Sequence, residues 1–196
     1  LSAIQYYAAG MGIMFLLFSA MFGAISLINE RANITLARLL STPTKKSTIL
    51  GGKLAGIFLI GFLQFLTLAL ATRLIFGVNW GDSLLGFTIM VVATVLAATG
   101  MAIFIAAVAK TVGAANAISQ ILIQGMAALG GSMIPLVAFP ETLKNLSRFT
   151  INYWAMEGFT KLMLGANFSV TFFPALILLG FATAFMTVGI WRFQYE

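Results

Sequence analysis

Long uncharged apolar runs alternate with short polar stretches along this chain. A bilayer core about 30 Å thick is crossed by roughly 20 residues of helix, because lipid offers the backbone no hydrogen-bond partners and a helix satisfies its own. Five runs meet that length, at about residues 8–28, 54–77, 83–109, 112–134 and 172–191. Between Ser83 and Ile134 the sole charge is Lys110. That stretch is far too long for one crossing, so the chain turns back near Lys110, Thr111 and Gly113. The pattern predicts an all-α membrane protein with a polar loop at 29–53 and a second, less polar helical loop at 135–171.

Composition strengthens this reading. Of 196 residues, 61% are hydrophobic and 8% charged, against roughly 25% charged in a soluble domain. The net charge of +6 is spread over a few short stretches and forms no dense basic face, so a nucleic-acid partner is not expected. The chain contains no cysteine and no histidine, which removes thiol nucleophiles, the usual zinc ligands and imidazole acid–base chemistry. No metal site is expected.

Lys and Arg are retained on the cytoplasmic side, so their distribution orients the spans. With loop 29–53 inside, Arg31, Arg38, Lys45, Lys46, Lys53, Lys110 and Arg192 are inside, against Lys144, Arg148 and Lys161 outside. The C-terminus is then cytoplasmic and Leu1 external. A start outside, in apolar sequence without an initiating Met, is what a fragment lacking a preceding span looks like, giving six spans in all. Arg73 lies 20 residues beyond Lys53, about 30 Å along a helix, and so snorkels at the outer headgroups.

The first loop reads as a short helix over the residues before Pro43, with Ile34, Leu36, Ala37, Leu39 and Leu40 largely on one side and Arg31 and Arg38 elsewhere. It is either a docking helix or a solvated positive-inside loop. In the second loop Pro140 starts a helix at its first turn, with Glu141 near the positive end of the dipole. Leu143, Leu146 and Phe149 oppose Lys144 and Arg148, the pattern of a helix at the membrane surface. A second short helix follows over about 153–164, with Glu157 and Lys161 spaced for an i,i+4 pair and Tyr153 and Trp154 suited to headgroup level. Both are expected to dip into the outer leaflet.

Asn116, Gln120 and Gln124 recur at every fourth position of the fourth span and form a polar stripe on one helical face. Such a stripe either lines a substrate path or a subunit face, or holds the bundle together by interhelical hydrogen bonds. Gln64 and Thr67 on the second span are candidates to meet it. Small residues at four-residue spacing, Gly52 with Gly56, Ala98 with Ala102, Ala127 with Gly131 and Gly180 with Ala184, permit close helix approach.

The chain carries no phosphate-binding loop: Lys53 follows Gly52, but Ser47 stands where the first Gly is needed and Leu54 where Ser or Thr is. Its five acidic residues, Glu30, Asp82, Glu141, Glu157 and Glu196, all lie in loops or at span ends, which argues against a proton-driven pump. An energy source on another chain is implied. The stretch Glu30, Arg31, Thr35 to Pro43, Ile49 to Lys53 and Gln64 resembles the first cytoplasmic loop and following span of ABC-2 type permeases, the membrane subunits of ATP-binding cassette exporters. Gly130 to Pro135, Phe139, Pro140, Leu143, Leu146, Ser147 and Tyr153 to Ala155 resemble that family's segment before its last span. Many relatives have Gly where Ile34 stands and Pro near Thr150.

The resemblance implies the last five spans of a six-helix permease in the bacterial cytoplasmic membrane, of the drug or antibiotic resistance kind, whose first span is followed by a large external domain. It places Glu30, Arg31, Thr35 and Arg38 on a coupling helix docked into an ATPase subunit that binds ATP and Mg. It implies a second permease, in a homo- or heterodimer, with substrate passing between the two, and an outer gate that includes Pro135, Pro140 and Trp154. The chain itself is then no enzyme and binds no cofactor. The competing classes are a membrane-embedded lipid enzyme, for which the spans offer no clustered acids, and an immunity or structural membrane protein, for which the cytoplasmic helix has no ATPase to bind.

Overall fold

The apolar runs close their backbone hydrogen bonds as helices in the structure, a computed structural model that describes residues 1–32 and 46–194. In chain order these are α1 (Ala3–Ala32), α2 (Lys46–Phe76), α3 (Leu84–Val108), α4 (Val112–Leu129), α5 (Glu141–Ser147), α6 (Ile151–Met163) and α7 (Phe168–Gln194), with a 3₁₀ turn at Leu136–Ala138. No strand occurs among the described residues. Five of these helices, α1 to α4 and α7, are long and apolar enough to cross a membrane.

Side-chain caps fix the reversals. Ser83 Oγ accepts from the Gly86 amide at the start of α3, and Thr111 Oγ1 accepts from the Ala114 amide at the start of α4. Between them Ala109 is extended, so the chain turns back at 109–111 as the lone Lys110 suggests. Gly77, at φ +65°, ends α2 in the left-handed conformation that glycine tolerates. Helix α4 stops at Leu129 rather than at 134, because Gly131 at φ +90° turns the chain out of the helix. The five long helices alternate in direction. Residues 30 and 53 therefore share one end of the bundle with Lys110 and Arg192, and Arg73, Asp82 and residues 130–167 share the other.

Helix α3 is the axis of the bundle, buried along most of its length. It packs most extensively on α7 and then on α1. The α3–α7 contact is close because a Cβ at Gly100 would lie 2.8 Å from the Ala182 carbonyl oxygen, and one at Gly189 would lie 2.7 Å from Ile103. Gly52, Gly56 and Gly180, which share the four-residue spacing, meet nothing within 4 Å. Thr94 and Thr99 are buried on α3 and return their hydroxyls to the carbonyls of Met90 and Val95 one turn earlier. Pro174 sits inside α7, where it withholds the amide that the carbonyl four residues earlier would accept. Helix α2 is peripheral and turns Leu59, Ile60, Leu63, Leu70 and Leu74 outward.

The two short helices differ from each other. Leu146 and Phe149, at and just beyond the end of α5, are exposed, as a helix at a lipid surface requires. Helix α6 instead enters the bundle, contacting α1, α3, α4 and α7. Ile151, Asn152, Ala155, Met156, Phe159 and Leu162 are buried among the long helices, as in a helix that re-enters the bundle from outside. Glu157 and Lys161 pair at 2.5 Å on its remaining side, so charge does not keep the helix out of the protein.

Candidate functional site

Glu30 is near the last turn of α1 and Lys53 is two turns into α2, so the two helices that frame residues 33–45 are joined by a Glu30–Lys53 ion pair. Both side chains are partly buried. Arg31 belongs to α1 by its backbone, while its side chain, Thr35, Arg38 and the rest of the expected docking helix lie outside the described residues. Sequence spacing alone does not reveal the pair, because more than twenty residues separate its members.

Asn116, Gln120 and Gln124 lie on one exposed face of α4, together with Gly113, Ala117 and Gly125. The opposite face, with Ala115, Ser119, Ile123 and Ala127, is buried against the bundle. The polar row thus points away from this chain's own core and cannot be what holds it together. Gln64 does not supply its counterpart: its side-chain amide donates to the Phe15 carbonyl of α1 at 3.2 Å, and Thr67 bonds the Leu63 carbonyl of its own helix.

At the far end the expected gate residues lie along the segment that holds the 3₁₀ turn, α5 and α6. Pro135 precedes the 3₁₀ turn and accepts from the Ala138 amide, and Pro140 occupies the cap position of α5. Trp154 Nε1 donates to the Arg148 carbonyl at 2.7 Å, and its ring meets Tyr153 and Phe173 edge-on. Three contacts not anticipated from the sequence hold this end in place. Tyr6 Oη on α1 donates to the Gly131 carbonyl at 2.6 Å. Asn152 Nδ2 donates to Ser132 Oγ at 2.8 Å, wholly buried. Phe65, Trp80, Phe87 and Phe159 form an aromatic cluster with ring centroids 5.0–6.4 Å apart, joining α2, α3 and α6. An Asn next to an Ile after a helix cap was the available sign, but its partner twenty residues earlier was not.

Residues 1–191, nearly the whole chain, match the family described as ABC-2 family transporter protein. The chain belongs to the ABC-2 transporter family. It is also similar to the linearmycin resistance permease protein LnrN of Bacillus subtilis (strain 168), at 28% identity over 184 residues, which is 93% of this chain and 48% of that protein. The chain spans about half the length of the curated relative it matches. The all-α bundle with five long apolar helices is the membrane part of an ABC-2 permease, and the protein is integral to the membrane. Within this ABC-2 permease the polar face of α4 and the Glu30–Lys53 junction are two of the places, among the described residues, where polar side chains interrupt the apolar packing.

Proposed function

We propose that this chain is the membrane-spanning part of an exporter subunit that moves an amphipathic drug, antibiotic or lipid out of a bacterial cell. An ATP-binding cassette subunit docks on residues 29–53 at the cytoplasmic face and supplies the energy. ATP and Mg belong to that partner, because the chain has no phosphate-binding loop. Arg31, Thr35 and Arg38 reach the ATPase, with Glu30 at the root of the docking segment. A second permease, identical or related, faces α4.

The observation that carries transport over a merely structural role is the outward polar row Asn116, Gln120 and Gln124. Amide side chains left in hydrocarbon without partners are costly, so a span that presents three of them away from its own bundle addresses a wet path or another polar surface. A path between two permeases meets both conditions. The wide, dispersed contacts of such a path select amphipathic shape, and the segment 135–154 at the far end closes it as an outer gate.

The test is purification of the full-length protein from its native membrane in mild detergent, with mass spectrometry of what accompanies it. A stoichiometric ATP-binding cassette subunit is expected, and it should be lost in Arg31→Glu and Arg38→Glu variants that still fold. Reproducible absence of any such subunit beside intact, folded protein would overturn the reading.

A further inference from the structure

Helices α1 and α2 meet where Gly23 lets Ile57 approach: a Cβ at Gly23 would lie 2.9 Å from Ile57. Beside that contact the two helices line a groove of about 320 Å³, with Phe22, Ile57 and Ile60 as apolar walls and the hydroxyls of Ser19 and Ser26 on the α1 side. Phe22 and Ile60 are 65% and 64% exposed, so the groove opens to the outside of this chain's bundle. Gly56 lines it with nothing within 4 Å of its Cβ position. The Glu30–Lys53 pair also lines it, at the end nearest residues 33–45. From Lys53 to Ile60 is seven residues, so the apolar wall runs about 10 Å inward from the charges.

We infer that this groove binds one glycerophospholipid whose headgroup carries both a phosphate and a primary ammonium, a phosphatidylethanolamine. A Lys ammonium has three donors and a carboxylate about four acceptor positions, and a single ion pair uses only part of each set. The free donors of Lys53 suit the lipid phosphate, and the free acceptors of Glu30 suit its ammonium. The charge pattern selects among lipids. A phosphatidylglycerol offers its phosphate to Lys53 but sets an anion beside the Glu30 carboxylate with no cation to balance it. A phosphatidylcholine carries a trimethylated ammonium without N–H groups, so it cannot donate to Glu30. The first part of one acyl chain lies along Phe22, Ile57 and Ile60, and a cleft of this size, at the small end of the usual 300–1,000 Å³ or so, holds no more. Placing both charges at one headgroup level while the walls face hydrocarbon fits a lipid in the leaflet on the side of residues 33–45. The inference goes beyond the exporter reading and does not depend on the ATPase.

The experiment uses the full-length permease in nanodiscs of equal parts phosphatidylethanolamine and phosphatidylglycerol, doped with a trace of a photoactivatable version of one or the other. Cross-links are mapped to the peptides that contain Phe22, Ile57 and Ile60. The ethanolamine probe should label these peptides about tenfold more than the glycerol probe, the factor of one charge-assisted hydrogen bond. Gly56→Leu should abolish the labelling by filling the groove from a position whose Cβ meets nothing within 4 Å. Glu30→Gln should bring the two probes to about equal labelling. Equal labelling by both probes in the unaltered protein, or undiminished labelling in folded Gly56→Leu protein, would overturn the inference. So would cross-links from photoactivatable residues at positions 22 and 60 to another polypeptide segment instead of lipid. Selective labelling alongside failure to recover an ATPase would sink the exporter reading and leave the lipid site standing.

Discussion

The buried amide of Asn152 donates to the hydroxyl of Ser132, tying the first turn of α6 to the Gly130–Gly131 turn that ends α4. Thr150, which caps α6, lies beside the same turn: a Cβ at Gly130 would be 2.7 Å from Thr150 Oγ1 and 2.4 Å from Asn152 Cβ. The turn after α4 and the start of α6 are thereby one unit. Replacing Asn152 by Ala should cost about 1 kcal/mol, in the range of interhelical hydrogen bonds in membranes. Ser132→Ala and the double variant complete the cycle, followed by thermal unfolding of the detergent-solubilised protein. Strictly additive losses would show that the two side chains do not interact.

The small residues of α3 and α7 make a sharper contrast. Gly100→Ala drives a methyl group against the Ala182 carbonyl and forces two backbones apart, so a loss of about 1–3 kcal/mol is expected. Gly180→Ala meets open space and should be neutral or stabilising by up to about 1 kcal/mol through helix propensity. Equal melting temperatures for the two variants would contradict the packing described here.

Phe159 is the member of the aromatic cluster that α6 contributes. Its truncation to Ala should cost about 3–5 kcal/mol and release α6 from the bundle, which limited proteolysis between 148 and 168 would detect. Trp80→Phe keeps most of the ring contact and gives up the hydrogen bond from Nε1 to Thr72 Oγ1, at 3.1 Å, so its cost should be nearer 1 kcal/mol. A Trp80→Phe loss as large as that of Phe159→Ala would mean that the hydrogen bond, not ring packing, holds the cluster.

The chain has no cysteine, which makes single cysteines on its helices readable by thiol chemistry. A charged, water-borne thiol reagent should modify Gln120→Cys and Gln124→Cys in membranes and leave Leu63→Cys, on the outward apolar face of α2, untouched, because a thiol in hydrocarbon neither ionises nor meets the reagent. Labelling of position 63 as fast as 120 and 124 would remove the wet path from the account of α4.

The spans were legible because an apolar run of the right length leaves the backbone few alternatives to a helix. Their places in the bundle were not. Helices α2 and α3 are both long and strongly apolar, yet α3 is the axis and α2 faces outward. In lipid an apolar residue suits either environment, so hydropathy does not separate core from periphery. The same ambiguity hid Gly100, Ala182 and Gly189 among many small residues. The polar row on α4 was readable from its period, since amides are rare enough in spans for spacing to carry information. Its outward direction needed the packing of Ala115 and Ile123 on the opposite face. The burial of α6 was concealed by Glu157 and Lys161, which read as a surface signature while neutralising each other.

The central position of α3 has a consequence for biosynthesis. Its neighbours α6 and α7 lie downstream of it, so at about 5–20 residues per second several seconds pass between completion of α3 and arrival of α7. During that interval Gly100 and Ile103 face lipid or the insertion machinery instead of Ala182 and Gly189. Helix α7 is thus the last of the described spans to arrive, and a ribosome stalled before it leaves a nascent chain whose axis lacks its most extensive partner, a ready substrate for membrane quality-control proteases.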